Sequence, residues 1–171
     1  TLPGAIEGQG YTKMLTASGG SGTYTWTISG SASPPPGISL APNGSLQGIP
    51  SVAGTSQFTV TVSDGSASAS KLLTLNVEPV LRMTSPVTVP SGVVGSPYSY
   101  QLLATGGAGT YSWSLAAGPP PPGLSLSATG LLSGIPTASG SFDVPLELSS
   151  GMQLKFVQIT VPVTTAPVID L

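Results

Sequence analysis

One stretch of the chain occurs twice, and it constrains the fold more than any other feature. Gly19-Gly20-Ser21-Gly22-Thr23-Tyr24-Thr25-Trp26 returns as Gly106-Gly107-Ala108-Gly109-Thr110-Tyr111-Ser112-Trp113, and these two tryptophans are the only ones in the sequence. A glycine-rich turn leads into a segment on which Tyr and Trp stand two apart, the spacing at which strand side chains share a face. A chain of 171 residues could form one large domain or two small ones. The duplication decides for two, each of roughly 85 residues.

Domains of that size have thin cores, and small secreted ones often add disulfides. With no Cys, neither a disulfide nor a thiolate metal site can be built here. With no His, the commonest general base and the commonest transition-metal ligand are also lacking. Charged residues make up only 6% of the chain, against about 25% in a typical globular protein. Four cations cannot form a basic patch, so nucleic acid is not an expected partner. The 23 glycines and 18 prolines would suit disorder, but apolar residues recurring at period two read instead as strands punctuated by turns. No apolar run reaches the roughly 18 residues of a membrane span, and no stretch reads as a leader peptide.

The two copies can be followed position by position. Leu2-Pro3-Gly4-Ala5-Ile6-Glu7-Gly8 matches Val89-Pro90-Ser91-Gly92-Val93-Val94-Gly95. In the second copy an extended lead-in, Val80 to Pro86, comes first; the first copy has no counterpart, so the sequence reads as beginning inside a repeat. Tyr11, Leu15 and Ala17 alternate to one face, as do Tyr98, Leu102 and Ala104, and Lys13 stands where Tyr100 does, which predicts a position near the rim of the inner face. Pro34-Pro35-Pro36-Gly37 and Pro119-Pro120-Pro121-Pro122-Gly123 read as stiff corners between two sheets. Asn43-Gly44 and Thr129-Gly130 read as hairpin turns; Asn43-Gly44-Ser45 is also a glycosylation sequon, but it falls on the turn and is absent from the second copy. Phe58, Val60 and Val62 alternate with Thr59 and Thr61, and Val144, Leu146 and Leu148 alternate with Pro145 and Glu147. Pro145 predicts an edge strand or a bulge. Leu73, Leu75 and Val77 read as the last strand, matched to Val157, Ile159 and Val161, with a hairpin two residues shorter in the second copy.

The domains so defined are residues 1–78, lacking the lead-in strand, and residues 79–165. The short junction Val77-Glu78-Pro79-Val80 predicts limited bending between them. Residues 166–171 resemble Glu78-Pro79-Val80-Leu81-Arg82-Met83 and read as the start of a further repeat or a tail.

Each copy resembles the bacterial putative Ig domain family, He_PIG, related in fold to cadherin-like and dystroglycan-type domains. The pattern is Gly8-x-x-Tyr11, Leu15-x-Ala17, Gly19 to Trp26, Pro36-Gly37-Ile38-x-Leu40, Gly44-x-Leu46-x-Gly48-x-Pro50, Gly54 and Phe58-x-Val60-x-Val62-x-Asp64. The second copy departs from it at Ser150, which stands in place of Asp64, and at Pro145. The resemblance implies all-β architecture, two tandem Ig-like (cadherin-like) antiparallel β-sandwiches. It further implies a tandem segment of a secreted or cell-surface protein that serves as a spacer, an adhesive module or an accessory to an enzyme. The expected partners are neighbouring Ig-like repeats in the same chain, with a surface protein or glycan as the external candidate.

The site candidates are few. Cadherin-like domains bind calcium between modules, and Ca²⁺ takes six to eight oxygens. Closely spaced acidic signatures are absent, so no cofactor is expected. Asp64, in a hairpin turn, and Glu78, at the domain boundary, come nearest to qualifying as metal ligands. Aromatic platforms bind sugars, which makes Tyr24 and Tyr111 the ligand candidates, while Trp26 and Trp113 read as structural core. Lys71 and Asn76 could form an isopeptide link only if buried together with an acid. Asp143 and Glu147 lie four apart on a strand, about 13 Å, which is too far for a paired acid and base. No catalytic residue is expected, and with the resemblance this implies a non-enzymatic function, structural or adhesive, with carbohydrate or calcium binding as the alternative.

Overall fold

The computed structural model describes residues 1–167. Among them the regular structure is entirely β, and no helix is long and apolar enough to cross a membrane. The chain divides into two compact units, Thr1–Val80 and a second beginning at Leu81.

In the first unit β1 (Ala5–Ile6), β7 (Ser68–Glu78), β6 (Gly54–Ser63) and β3 (Thr25–Ser29) form one sheet in that order. The opposing sheet is β2 (Tyr11–Met14), β5 (Ser45–Gly48) and β4 (Ile38–Leu40). Side chains of both sheets meet in one core: Tyr11, Ile38 and Leu46 from one, Trp26, Phe58, Val60 and Leu75 from the other. The sequence sets this up by alternation. Phe58 and Val60 point inward and are buried, while the hydroxyls of Thr59 and Thr61 face out. Each large aliphatic or aromatic side chain so buried contributes about 1.5–3 kcal/mol.

The second unit repeats the plan. Its larger sheet is β12 (Ser112–Leu115), β15 (Gly140–Ser150), β16 (Gln153–Thr164) and β9 (Gly92–Val93). Opposite lie β10 (Tyr98–Gln101), β14 (Leu131–Gly134) and β13 (Leu124–Leu126). It also has a pair without counterpart among the described residues of the first unit: β8 (Arg82–Met83) against β11 (Ala104–Thr105). Two sandwiches of Ig type are therefore present, as the repeat predicts, antiparallel but for the parallel pairs β1–β7 and β9–β16. The last four residues of the stretch 166–171 lie outside the described residues.

The proline runs do carry the chain from one sheet to the other, between β3 and β4 and between β12 and β13. Ile38 N–H donates to the Pro35 carbonyl at 3.0 Å and Leu124 N–H to Pro121 at 2.9 Å. Pro36 and Gly37 thus occupy the centre of a β-turn whose third position has φ 89°, the type II geometry that favours this dipeptide.

Two sequence expectations need correction. The strand pairing puts Val77 opposite Gly54 and Val163 opposite Gly140. Leu73, Leu75 and Val77 therefore correspond to Ile159, Val161 and Val163, not to Val157, Ile159 and Val161. The hairpins are equally long, since Ser63 pairs with Ser68 and Ser149 with Leu154. An alternating apolar pattern looks the same after a slip of two residues, so periodicity could not set this register. Pro145 lies on neither an edge nor a bulge: β15 is an interior strand. Its effect is to shorten the neighbour. Ser29 pairs with Thr59 in the first unit, but the equivalent Ala116 and Pro145 fall just past the end of β12. Ala116 N–H still donates to the Pro145 carbonyl at 2.9 Å, but proline has no N–H to return, and the ladder stops there.

Candidate functional site

The glycine-rich turn that opens the repeat is held from the far end of the sequence. Asp64, the first residue of the turn closed by the Ser63–Ser68 pair of the β6–β7 hairpin, accepts N–H bonds on both carboxylate oxygens. Ser66 and Ala67 donate to Oδ1 at 2.9 and 2.7 Å, and Ser21 donates to Oδ2 at 2.8 Å. The Gly20 backbone passes so close that a Cβ there would stand 2.2 Å from Asp64 Oδ2, at a φ of +64° that already disfavours a side chain. The backbone N–H groups of Ala67, Ser21 and Ser66 hold the Asp64 pKa down at about 2. In the second unit Ser150 does the same job with a hydroxyl: its Oγ accepts the Ala108 N–H at 2.9 Å.

This carboxylate gives a signed pH prediction. The Asp64 pKa is lower folded than unfolded, so its contribution is fully present above the unfolded value of 3.8 and lost as pH falls toward about 2. The thermal stability of the first unit should therefore fall between pH 4 and pH 2. Asp64→Ser, which imports the device of the second unit, should flatten that part of the curve. An acid limb of unchanged size in Asp64→Ser would show that other groups produce it.

The tyrosines close the same turns. Tyr24 Oη donates to the Gly19 carbonyl, and Tyr111 Oη donates to Gly106 at 3.2 Å. Both rings are half-buried and pack on their cores. Tyr24 and Asp64 do meet, as two walls of a depression of about 140 Å³; Tyr111 and Ser150 line its counterpart of about 230 Å³. Both are smaller than the roughly 300–1,000 Å³ of small-molecule pockets. Trp26 and Trp113 lie inside, 8% and 3% exposed.

Glu78 ends β7, at the opposite end of that strand from Asp64, so the two do not meet. It is buried, and its carbonyl accepts the Glu7 N–H at 2.9 Å. Among the described residues no three acidic side chains cluster as metal ligands. Lys71 and Asn76 are both exposed, and Asn76 Oδ1 accepts from Thr55 Oγ1 at 3.0 Å, so the buried constellation of an isopeptide link is not formed. Asp143 accepts from Thr160 Oγ1 at 2.8 Å, while Glu147 stands four residues along, opposite Phe156.

Sequence reasoning missed a wider concavity. A groove of about 550 Å³ opens in the first unit between Lys13, Leu15 and Ala17 on one side and Trp26, Val62 and Lys71 on the other. No local signal marks it, because it lies between segments distant in sequence, from Thr1 to Leu73.

Two sandwiches in succession, each with its core tryptophan and pinned glycine turn, define an Ig-like repeat module. The chain belongs to the family described as Putative Ig domain (He_PIG), whose model matches residues 1–78 and again 80–166. No curated protein sequence matches the chain significantly. Among solved structures, extracellular domains 3–5 of Drosophila OTK superpose with a TM-score of 0.64 at 13% identity, over 94% of this chain and 58% of that one. An I-band fragment of titin gives 0.56 at 15% identity, over 95% and 62%. These likenesses show the fold. A putative alpha-galactosidase from Bacteroides fragilis matches over 48% of this chain at 23% identity with a TM-score of 0.44, and only 17% of that protein is covered. The chain thus spans a minor part of that enzyme and under two thirds of the other two.

Proposed function

We propose that the chain is a non-enzymatic structural or adhesive segment of a larger secreted or cell-surface bacterial protein, placed among further repeats of its kind. One observation carries the reading: the residues that could have done chemistry are engaged in holding the fold. Asp64 pins a turn with three N–H bonds, Tyr24 and Tyr111 close the same turns, and the tryptophans are core. A bacterial surface setting is supported by the family, and by a composition that relies on Ser and Thr rather than charge.

A glycan array together with melting curves in millimolar calcium and in chelator tests it. The expected outcome is no glycan bound and the same melting temperature in both solutions. A reproducible sugar hit abolished by Tyr24→Ala or Tyr111→Ala, or an upward calcium shift abolished by Glu78→Gln, would replace the spacer reading with the ligand-binding one.

A further inference from the structure

Three of the chain's four cations, Lys13, Lys71 and Lys155, stand on the core side of strands. Strand pairing sets Lys13 opposite Leu46, Lys71 opposite Val60 and Lys155 opposite Leu148, and directly opposed residues share a face. Those three partners are 0–3% exposed, yet the lysines themselves are exposed. The difference is one of place. β2, which carries Lys13, is the outermost strand of its sheet. β7 is bordered by β1 only at Val77 and Glu78. β16 is bordered by β9 only at Val163 and Thr164, with a bridge from Thr88 to Thr160. Among the described residues, 68–71 and 154–157 therefore have a strand on one flank alone. The second unit leaves this flank free although its lead-in strand is in place, because β8 pairs with β11 instead.

Such a flank offers a row of main-chain donors and acceptors to any further strand. The exposure is greatest in the second unit. Leu154 and Phe156 alternate onto the outer face of β16, 52% and 69% exposed, and Met152 is exposed in the turn before them. The first unit has Ser68 and Ser70 at the same places. A sheet continued across this flank would line the apolar side chains up on one face. On the other it would cover Lys155. The two units place this cation differently: Ala69-x-Lys71 in the first aligns with Lys155-x-Val157 in the second. The lysine is displaced by one pleat, but each flank has one. Packing asks for a lysine at neither place, since the sister residue is alanine or a valine that packs on the core.

We propose that Lys71 and Lys155, with Lys13 on β2, guard the free strand flanks and keep a second copy of the chain from continuing either sheet. The long stem of each lysine lies along the core side and carries its ammonium to water past the open flank. A strand added there closes that exit and leaves a charge buried without a partner, which costs more than a few main-chain bonds return. The device matters in a chain with only 6% charged residues, where few other charges hold like units apart.

Sedimentation of the whole chain over a concentration series, with melting curves on the same samples, tests this. Lys155→Ala gives the second unit the residue of the first. It should melt within about 3 °C of the parent chain and associate at least about tenfold more tightly. Lys71→Val carries the same test on the first unit, at a position where the second has valine, and should also raise association. Lys155→Ala combined with Val157→Lys copies the order of the first unit and should return the chain to parental behaviour. Lys155→Glu should stay parental too, because a buried carboxylate is as costly as a buried ammonium. Folded Lys155→Ala and Lys71→Val chains that associate no more than the parent overturn the proposal. So does Lys155→Glu associating as readily as Lys155→Ala, or a failure of Val157→Lys to reverse the association.

Discussion

Trp113→Ala is expected to lower the melting temperature of the second unit by roughly 15–30 °C. The indole is 3% exposed and packs with Leu146, Leu148, Ile159 and Leu132, all at 0–1% exposure. Removing an aromatic side chain from such a place costs about 3–5 kcal/mol, because the transfer term is lost and the cavity collapses only in part. A small domain has about 5–15 kcal/mol in all, so the variant should be marginal at 37 °C. Trp26→Ala makes the sharper comparison. Trp26 forms a wall of the open groove, with Val62 beside it only partly buried. Its loss should cost less than that of Trp113, and calorimetry of the two variants gives the difference directly. Equal losses would mean that the groove is filled in solution.

Gly48→Ala is expected to abolish the folded first unit, or to lower its melting temperature at least as far as Trp26→Ala. Gly48 lies on the interior strand β5, paired with Tyr11 on one side and Ile38 on the other. Its φ is +144°, and a Cβ would stand 2.0 Å from the Gly37 carbonyl oxygen. That oxygen cannot retreat freely, because it accepts the Ile49 N–H at 3.0 Å and so ties the proline corner to the hairpin. Gly54→Ala is the control. It has a similar φ of +136° but open space around the added carbon, so it carries only the backbone strain of about 1–3 kcal/mol. If the two variants melted alike, the close approach at Gly37 would play no part.

The architecture was legible in the sequence because its signals are local and occur twice. Gly-Gly-x-Gly before Tyr-x-Trp, Pro-Gly before a short apolar run, and Phe58-x-Val60-x-Val62 each determine their own neighbourhood, and the second copy confirms each assignment. What failed was whatever depends on partners distant in sequence. Asp64 reads as a turn residue, but nothing nearby reveals that it also grips Ser21, 43 residues earlier. The last strand slipped by two residues because Leu73-x-Leu75-x-Val77 fits either register; only its pairing with β6 fixes the match. Pro145 reads as an edge or a bulge from its missing donor, whereas the sheet accommodates it by ending β12 one pair early. Tyr24 and Tyr111 read as sugar-stacking platforms because they are aromatic, and the sequence shows no partner for their hydroxyls. In space the turn's own carbonyl is that partner.

The parallel pairs at the sheet margins have a mechanical consequence. β1 runs parallel to β7, and β9 to β16, so in each unit a strand from its first part lies alongside the strand at its end. In the second unit the seam is extended by bonds from Thr160 N–H to Val87 at 2.7 Å, Val89 N–H to Thr160 at 3.1 Å and Val94 N–H to Thr164 at 2.9 Å. Pulling such a unit from its two ends slides the strands lengthwise, and the whole row of bonds must break together instead of opening like a zip. Each bond alone is modest, but loaded side by side they make the fold stiff along the line on which a tethered chain would be stretched.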